Sequence, residues 1–107
     1  MTDVLTRLSA TIGERAKADP AQSHTASLLA KGPAKCAEKF GEEAIEAVIA
    51  GAMGDRPALI HEAADVLYHL KVLLHANGVA WSEVIAELER REGVSGITEK
   101  ASRPTSA

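Results

Sequence analysis

An all-α fold follows from three features of this 107-residue sequence. Apolar residues recur at three- and four-residue intervals through each long segment, the spacing of one helical face. No run alternates polar and apolar residues as a half-buried strand would. Alanine, leucine, glutamate and lysine, all strong helix formers, are abundant, and Pro20, Gly32-Pro33, Gly54, Gly78 and Gly93 stand where the periodic segments stop.

The elements can be justified in order. The first helix covers residues 3–17, with Val4, Leu5, Leu8 and Ile12 on one face. It ends ahead of Pro20, because proline cannot continue a helix and restricts the residue before it. Residues 23–29 read as a loop with a short turn of helix, closed by Gly32. The second helix spans 33–53; a proline at its first position lacks only an N–H that would have no helical partner. Gly54 stops it, and Asp55 caps the third helix, which carries Pro57 in its first turn and runs to Asn77-Gly78. A shorter fourth helix begins at Trp81 and is stopped by Gly93. Residues 1–95 are therefore expected to form a single all-α domain, built on an antiparallel hairpin of the second and third helices. Residues 96–107 are expected to be a partly flexible tail.

Composition excludes several functions. Twelve basic against fifteen acidic residues leave a net charge of −3, which argues against a nucleic-acid module working by phosphate neutralisation. The three aromatic residues, Phe40, Tyr68 and Trp81, are too few for a base-stacking platform. Cys36 is the only cysteine, so it can form no internal disulfide and cannot anchor a zinc ligand set. The N-terminal residues include Asp3 and Glu14 and hold no apolar run long enough for a signal peptide or a membrane span. A soluble, cytoplasmic protein that contacts neither membrane nor nucleic acid is expected.

On a helical wheel, Phe40, Ala47, Ala44, Ala37, Val48 and Ile45 share one arc of the 33–53 helix. On the third helix Leu59, Ile60, Ala63, Val66, Leu67, Leu70, Leu73 and Leu74 fill an arc of about 140°, with Tyr68 and Val72 outside it. That is more apolar surface than one neighbouring helix covers. A homodimer whose interface includes the third helix is the expected solution.

Beside these stripes lie the candidate chemical groups. Glu43/Glu46 and Glu62/Asp65 are i, i+3 pairs, each on one helical face, and Glu42 adjoins the first. With the turn centred at 55.5, Glu46 should face Asp65, with Glu43 and Glu62 one turn away in opposite senses. So many carboxylates repel one another unless a cation joins them. Magnesium, a hard ion held by carboxylates together with substrate phosphates, suits them. A solvated acidic face is the plain alternative for any one pair; two pairs at matching hairpin depth weigh against it. His69, at i+4 from Asp65, is a candidate supporting group behind the ligands. His61-Glu62 with Asp65 departs from the H-E-x-x-H zinc motif at its last position and is set aside. Lys39 precedes Glu43 by one turn, while Arg90, Arg91, Lys100 and Arg103 concentrate positive charge towards the C-terminus. His75 and Cys36 are read as structural.

Glu42-Glu43-x-x-Glu46, fifteen residues, then Glu62-x-x-Asp65 is similar to the metal-binding signature of the all-α nucleoside-triphosphate pyrophosphohydrolases, the MazG-like superfamily. Within it the chain resembles the phosphoribosyl-ATP pyrophosphohydrolase family. The matching stretches are Ser23-x-Thr25-Ala26-x-Leu28-Leu29-x-x-Gly32, Lys35, Lys39-x-Gly41, Leu67-Tyr68-His69-Leu70, Glu87-Leu88-x-Arg90-Arg91 and Ser95-Gly96-x-x-Glu99-Lys100-x-x-Arg103. The last of these separates this family from its superfamily relatives. The resemblance implies magnesium-dependent hydrolysis of phosphoribosyl-ATP to phosphoribosyl-AMP and pyrophosphate by a homodimer. It implies Glu43, Glu46, Glu62 and Asp65 as magnesium ligands, and a catalytic role for Glu42 and Glu43, Glu42 as a further ligand or orienting water. It also implies Lys39, Arg90, Lys100 and Arg103 as contacts to substrate phosphates. His24 stands where the family usually has tyrosine or another aromatic residue, which weighs against a stacking role there; Cys36-Ala37 replaces a more aliphatic pair. The competing readings are a general nucleoside-triphosphate pyrophosphohydrolase and a non-enzymatic dimeric helical module.

Overall fold

Side chains that satisfy free N–H groups mark where most helices of this chain begin; the helix at Pro33, preceded by Gly32, has no such side-chain cap. The computed structural model describes residues 3–93, and the expected tail with Lys100 and Arg103 lies outside them. Asp3 Oδ1 accepts the Thr6 N–H at 2.8 Å and opens α1 (Val4–Arg15). Ser23 Oγ accepts the Ala26 N–H at 3.1 Å and opens α2 (His24–Ala30). After α3 (Pro33–Met53), Asp55 Oδ1 takes the Ala58 N–H at 3.2 Å and opens α4 (Arg56–Ala76). At α5 (Trp81–Arg91) the Glu83 carboxylate reaches back to the Ala80 N–H at 2.8 Å. No strand occurs among the described residues.

The segment read as a loop with a short turn is in fact the complete seven-residue helix α2. A helix so short is unstable alone. It forms because Thr25, Ala26 and Leu28 are buried beneath it, contacts that local periodicity does not reveal. The hairpin turn depends on Gly54, whose φ of 68° lies in the left-handed region that glycine enters without a Cβ clash. Its N–H bonds to Gly51 O at 3.2 Å and the Asp55 N–H to Ala50 O at 3.1 Å, the paired closure of a helix C-terminus.

Ile12, Leu28, Cys36 and Val72 form the core, with Leu8, Leu29, Tyr68, Leu73 and Ala76 packed around them. The core therefore sits where α1 and α2 cross the open end of the α3–α4 hairpin. Val72, placed by the wheel outside the apolar arc, is 1% exposed, and Tyr68 adjoins the core as well. Conversely, Ile45, Val48, Ile49 and Met53 on α3 and Leu59, Ile60 and Leu67 on α4 are exposed. The reason is coverage: α1 and α2 are long enough to sheathe only one end and one side of the hairpin. The apolar excess is thus shared by α3 and α4 rather than confined to the third predicted helix.

Polar contacts tie the elements down. The Thr25 and Tyr68 hydroxyls meet at 2.6 Å and join α2 to α4. Cys36 donates its thiol to Leu28 O at 3.3 Å, and burial pushes that thiol's pKa up, as befits a structural cysteine. Lys71, 3% exposed, donates to Ser9 Oγ on α1 and lies 3.7 Å over the Trp81 ring of α5. Burial lowers its pKa, and the hydroxyl and the ring face stand in for lost water. Truncating Ile12 to alanine should cost about 2–5 kcal/mol in a denaturant titration, since the methyl groups it loses lie at the centre of the core.

Candidate metal centre

The i, i+3 spacing places Glu43 and Glu46 on one face of α3, and Glu62 and Asp65 on one face of α4. The hairpin then gathers them. Carboxylate oxygens of Glu43, Glu46 and Glu62 lie within 4.8 Å of one another, and Glu62, Asp65 and His61 form a second group within the same limit. Glu62 is common to both. The register differs from the expected facing of Glu46 and Asp65. The turn is centred on Gly54, not one and a half residues later, so Glu46 and Glu62 fall eight residues to either side and their carboxylates come within 4.8 Å.

Glu62 is where the electrostatic conflict is sharpest. Its Oε2 is buried and has no hydrogen-bond partner among the described residues. Burial, then the hydrogen bond and charge of Glu46, then the charges of Asp65 and Glu43 push its carboxyl above the ordinary value of 4.5. An unpartnered acidic oxygen among three further carboxylates fits a hard divalent cation. The donor set is all oxygen if His61 stays out, as magnesium prefers.

His69 is 7% exposed and packs edge-on against Tyr68 at 5.0 Å between ring centroids. Burial lowers its basicity, while the charges of Glu43 and Asp65 oppose that shift. Lys39 and Glu42 stand beside the cluster rather than in it. Lys39 Nζ donates to Glu42 at 2.9 Å, holding that carboxyl low and the ammonium pKa high. Arg90 is bonded to Glu87 on its own helix, at 2.6 Å through Nη2, and with Arg91 it holds the Glu87 carboxyl down to about 2.

Two groups that the sequence reading set aside have partners here. His61 Nε2 lies 3.3 Å from Asp65 Oδ2, because aspartate at i+4 reaches the face that the second histidine of a zinc motif would occupy. His24 does stack: its ring is 18° from parallel to Tyr68 at 6.3 Å, and it meets His69 edge-on at 6.4 Å. An imidazole thus fills the aromatic position expected to be lost. The i, i+4 spacing was the available signal for His61. For His24 the signal was the aromatic position that the family resemblance marks.

Fold and site together define a class: all-α proteins in which an antiparallel helix pair gathers carboxylates at one point. A family model described as phosphoribosyl-ATP pyrophosphohydrolase matches residues 5–92. Proteins named phosphoribosyl-ATP pyrophosphatase are similar over nearly their whole length. That of Dinoroseobacter shibae is 69% identical over 100 residues, 94% of this chain and 98% of that protein. That of Rhodobacter capsulatus is 63% identical over 99 residues, covering 92% and 96%. The chain belongs to the phosphoribosyl-ATP pyrophosphohydrolase family.

The raised Glu62 pKa has a signed consequence. A carboxyl whose folded pKa lies above its unfolded value leaves the native state holding more protons across that window. Its contribution therefore becomes less favourable as pH rises from 4.5 through the raised value. In chelator, Glu62→Gln should match the parent chain in thermal midpoint at the acid end and gain on it as pH rises. Magnesium should close the gap by stabilising the parent. A midpoint difference that stays flat with pH would count against a strained Glu62.

Proposed function

We propose that this chain hydrolyses the α–β phosphoanhydride of 1-(5-phosphoribosyl)-ATP to phosphoribosyl-AMP and pyrophosphate, the second step of histidine biosynthesis. The observation that carries the chemistry is the buried, unpartnered Glu62 oxygen at the meeting point of Glu43, Glu46 and Asp65. The family match and the printed names of the relatives support the substrate.

In this reading Glu43, Glu46, Glu62 and Asp65 hold magnesium. Bound there, the ion neutralises developing charge on the phosphoryl oxygens and acidifies water. Phosphoryl transfer asks the protein mainly for positioning and charge compensation. Glu42 and Glu43 orient the attacking water and accept its proton. Lys39, now paired with Glu42, exchanges that partner for a phosphate oxygen. Arg90, with Lys100 and Arg103 from beyond the described residues, supplies further positive charge to the phosphates. His69 restrains Glu43 and Asp65 from behind.

A homodimer belongs to the same proposal. Val48 is 68% exposed, Met53 79% and Ile60 63%, a continuous apolar face along the turn end of the hairpin. A small domain gains stability by burying such a face against a second copy. Cytoplasmic location is part of it too, supported by the lone free thiol and by the absence, among the described residues, of any helix long and apolar enough to cross a membrane.

The parent chain should release pyrophosphate from phosphoribosyl-ATP with magnesium, stop in chelator, and act poorly on ordinary nucleoside triphosphates. Release that favours ordinary triphosphates would reassign the substrate; none from any of them would leave only the helical module. Glu46→Gln and Asp65→Asn should each lose roughly 100-fold or more in rate with helicity by circular dichroism intact. Light scattering should give twice the chain mass, and Val48→Asp should shift it towards the monomer.

A further inference from the structure

The α4 face that carries Asp65 also borders a second cavity, of about 610 Å³, between the end of α1 and the start of α2. Ala18 and six polar side chains, those of Arg15, Gln22, Ser23, His24, Thr25 and Tyr68, line it. Its chemistry is opposite to that of the metal centre. Each of these six side chains can donate a hydrogen bond, and no carboxylate lines the cavity in a chain with fifteen acids. Arg15 has no ion-pair partner among the described residues. A cation in the last turn of α1 complements the helix dipole, but that explains neither the cavity nor its other donors.

The two sites share one surface. Asp65 and Tyr68 are three residues apart on α4, one turn and about 4.5 Å along its axis. The His24 ring stacks on Tyr68 and meets His69, whose imidazole feels the charges of Glu43 and Asp65. The ring contacts of His24, Tyr68 and His69 thus link the donor-rich cavity to the neighbourhood of the acids. A ligand with its polyphosphate at the acids would extend its other end over those rings. A planar base would be better served by apolar walls with few polar groups. A phosphate monoester, with close to two negative charges and three strong acceptor oxygens, matches a guanidinium fork flanked by amide and hydroxyl donors.

We propose that this cavity binds the phosphate-bearing pentose at the far end of the substrate, with Arg15 on the phosphate and His24 against the sugar. The inference rests on the substrate assigned above and adds the group that tells it from an ordinary nucleoside triphosphate, which carries no second phosphate to place there.

Ribose 5-phosphate is the direct probe, titrated into the full chain with magnesium present and followed by calorimetry or amide shifts. The parent should bind it, Arg15→Met should weaken binding by about tenfold or more, and Arg15→Lys should recover part of the loss by restoring the charge without the fork. In kinetics, Arg15→Met should lower the ratio of kcat/KM for phosphoribosyl-ATP to that for ATP by about tenfold, chiefly through KM. Because Arg15 is exposed, thermal midpoints should show the variant folded. Failure of the parent to bind ribose 5-phosphate, equal binding by Arg15→Met, or an equal loss on both nucleotides would overturn the assignment. Arg15-dependent binding in a chain that releases no pyrophosphate from phosphoribosyl-ATP would uphold the phosphate site and defeat the reaction instead.

Discussion

Mutual repulsion among Glu43, Glu46, Glu62 and Asp65 is the constraint on which the rest of this structure turns. Four carboxylates held on two facing helices oppose the packing that brings them together, and the conflict is greatest at Glu62, where an oxygen is buried without a partner. The left-handed Gly54 and the Asp55 cap set the register of α3 against α4, and that register delivers Glu62 to Glu46. Strain of this kind is what a cation relieves, and it is the physical basis for reading the cluster as a metal centre rather than as a wet acidic face.

Stability comes from the other end of the hairpin. Ile12, Leu28, Cys36 and Val72 are packed where α1 and α2 lie across α3 and α4, and Lys71 extends that end to α5 through Ser9 and Trp81. The electrostatic cost and the apolar gain are therefore separated along the same two helices. His69 and Tyr68 stand at the boundary, His69 buried and feeling the charges of Glu43 and Asp65, Tyr68 packed against the core. At the turn end no element among the described residues covers Val48, Ile49, Met53 or Ile60. The described helices α1, α2 and α5 leave part of this hairpin of two 21-residue helices bare.

Charge is likewise sorted by place rather than by total. The net charge of −3 conceals an acidic point on the hairpin, a donor-lined cavity around Arg15 and His24, and a local Glu87–Arg90–Arg91 cluster on α5. The proposed substrate, with phosphate at both ends, would call for such a division: acids suited to a cation at one end and basic donors at the other.

The sequence alone determined much of this. Periodicity and its punctuation by Gly32-Pro33, Gly54 and Gly78 located the long helices to within a residue or two, because helix starts and stops are local chemistry. The i, i+3 spacing of the acids placed them on common faces for the same reason. Only the tertiary structure decided how those faces meet. The turn centre at Gly54 selected Glu62 rather than Asp65 as the partner of Glu46, and α2 existed only once Thr25 and Leu28 had somewhere to be buried. Val72 and Lys71 became core, and Ile45 and Val48 surface, according to which side α1 and α2 chose to cover. A helical wheel records which residues share a face; which face is buried depends on neighbours distant in sequence, and that information resides in the packing.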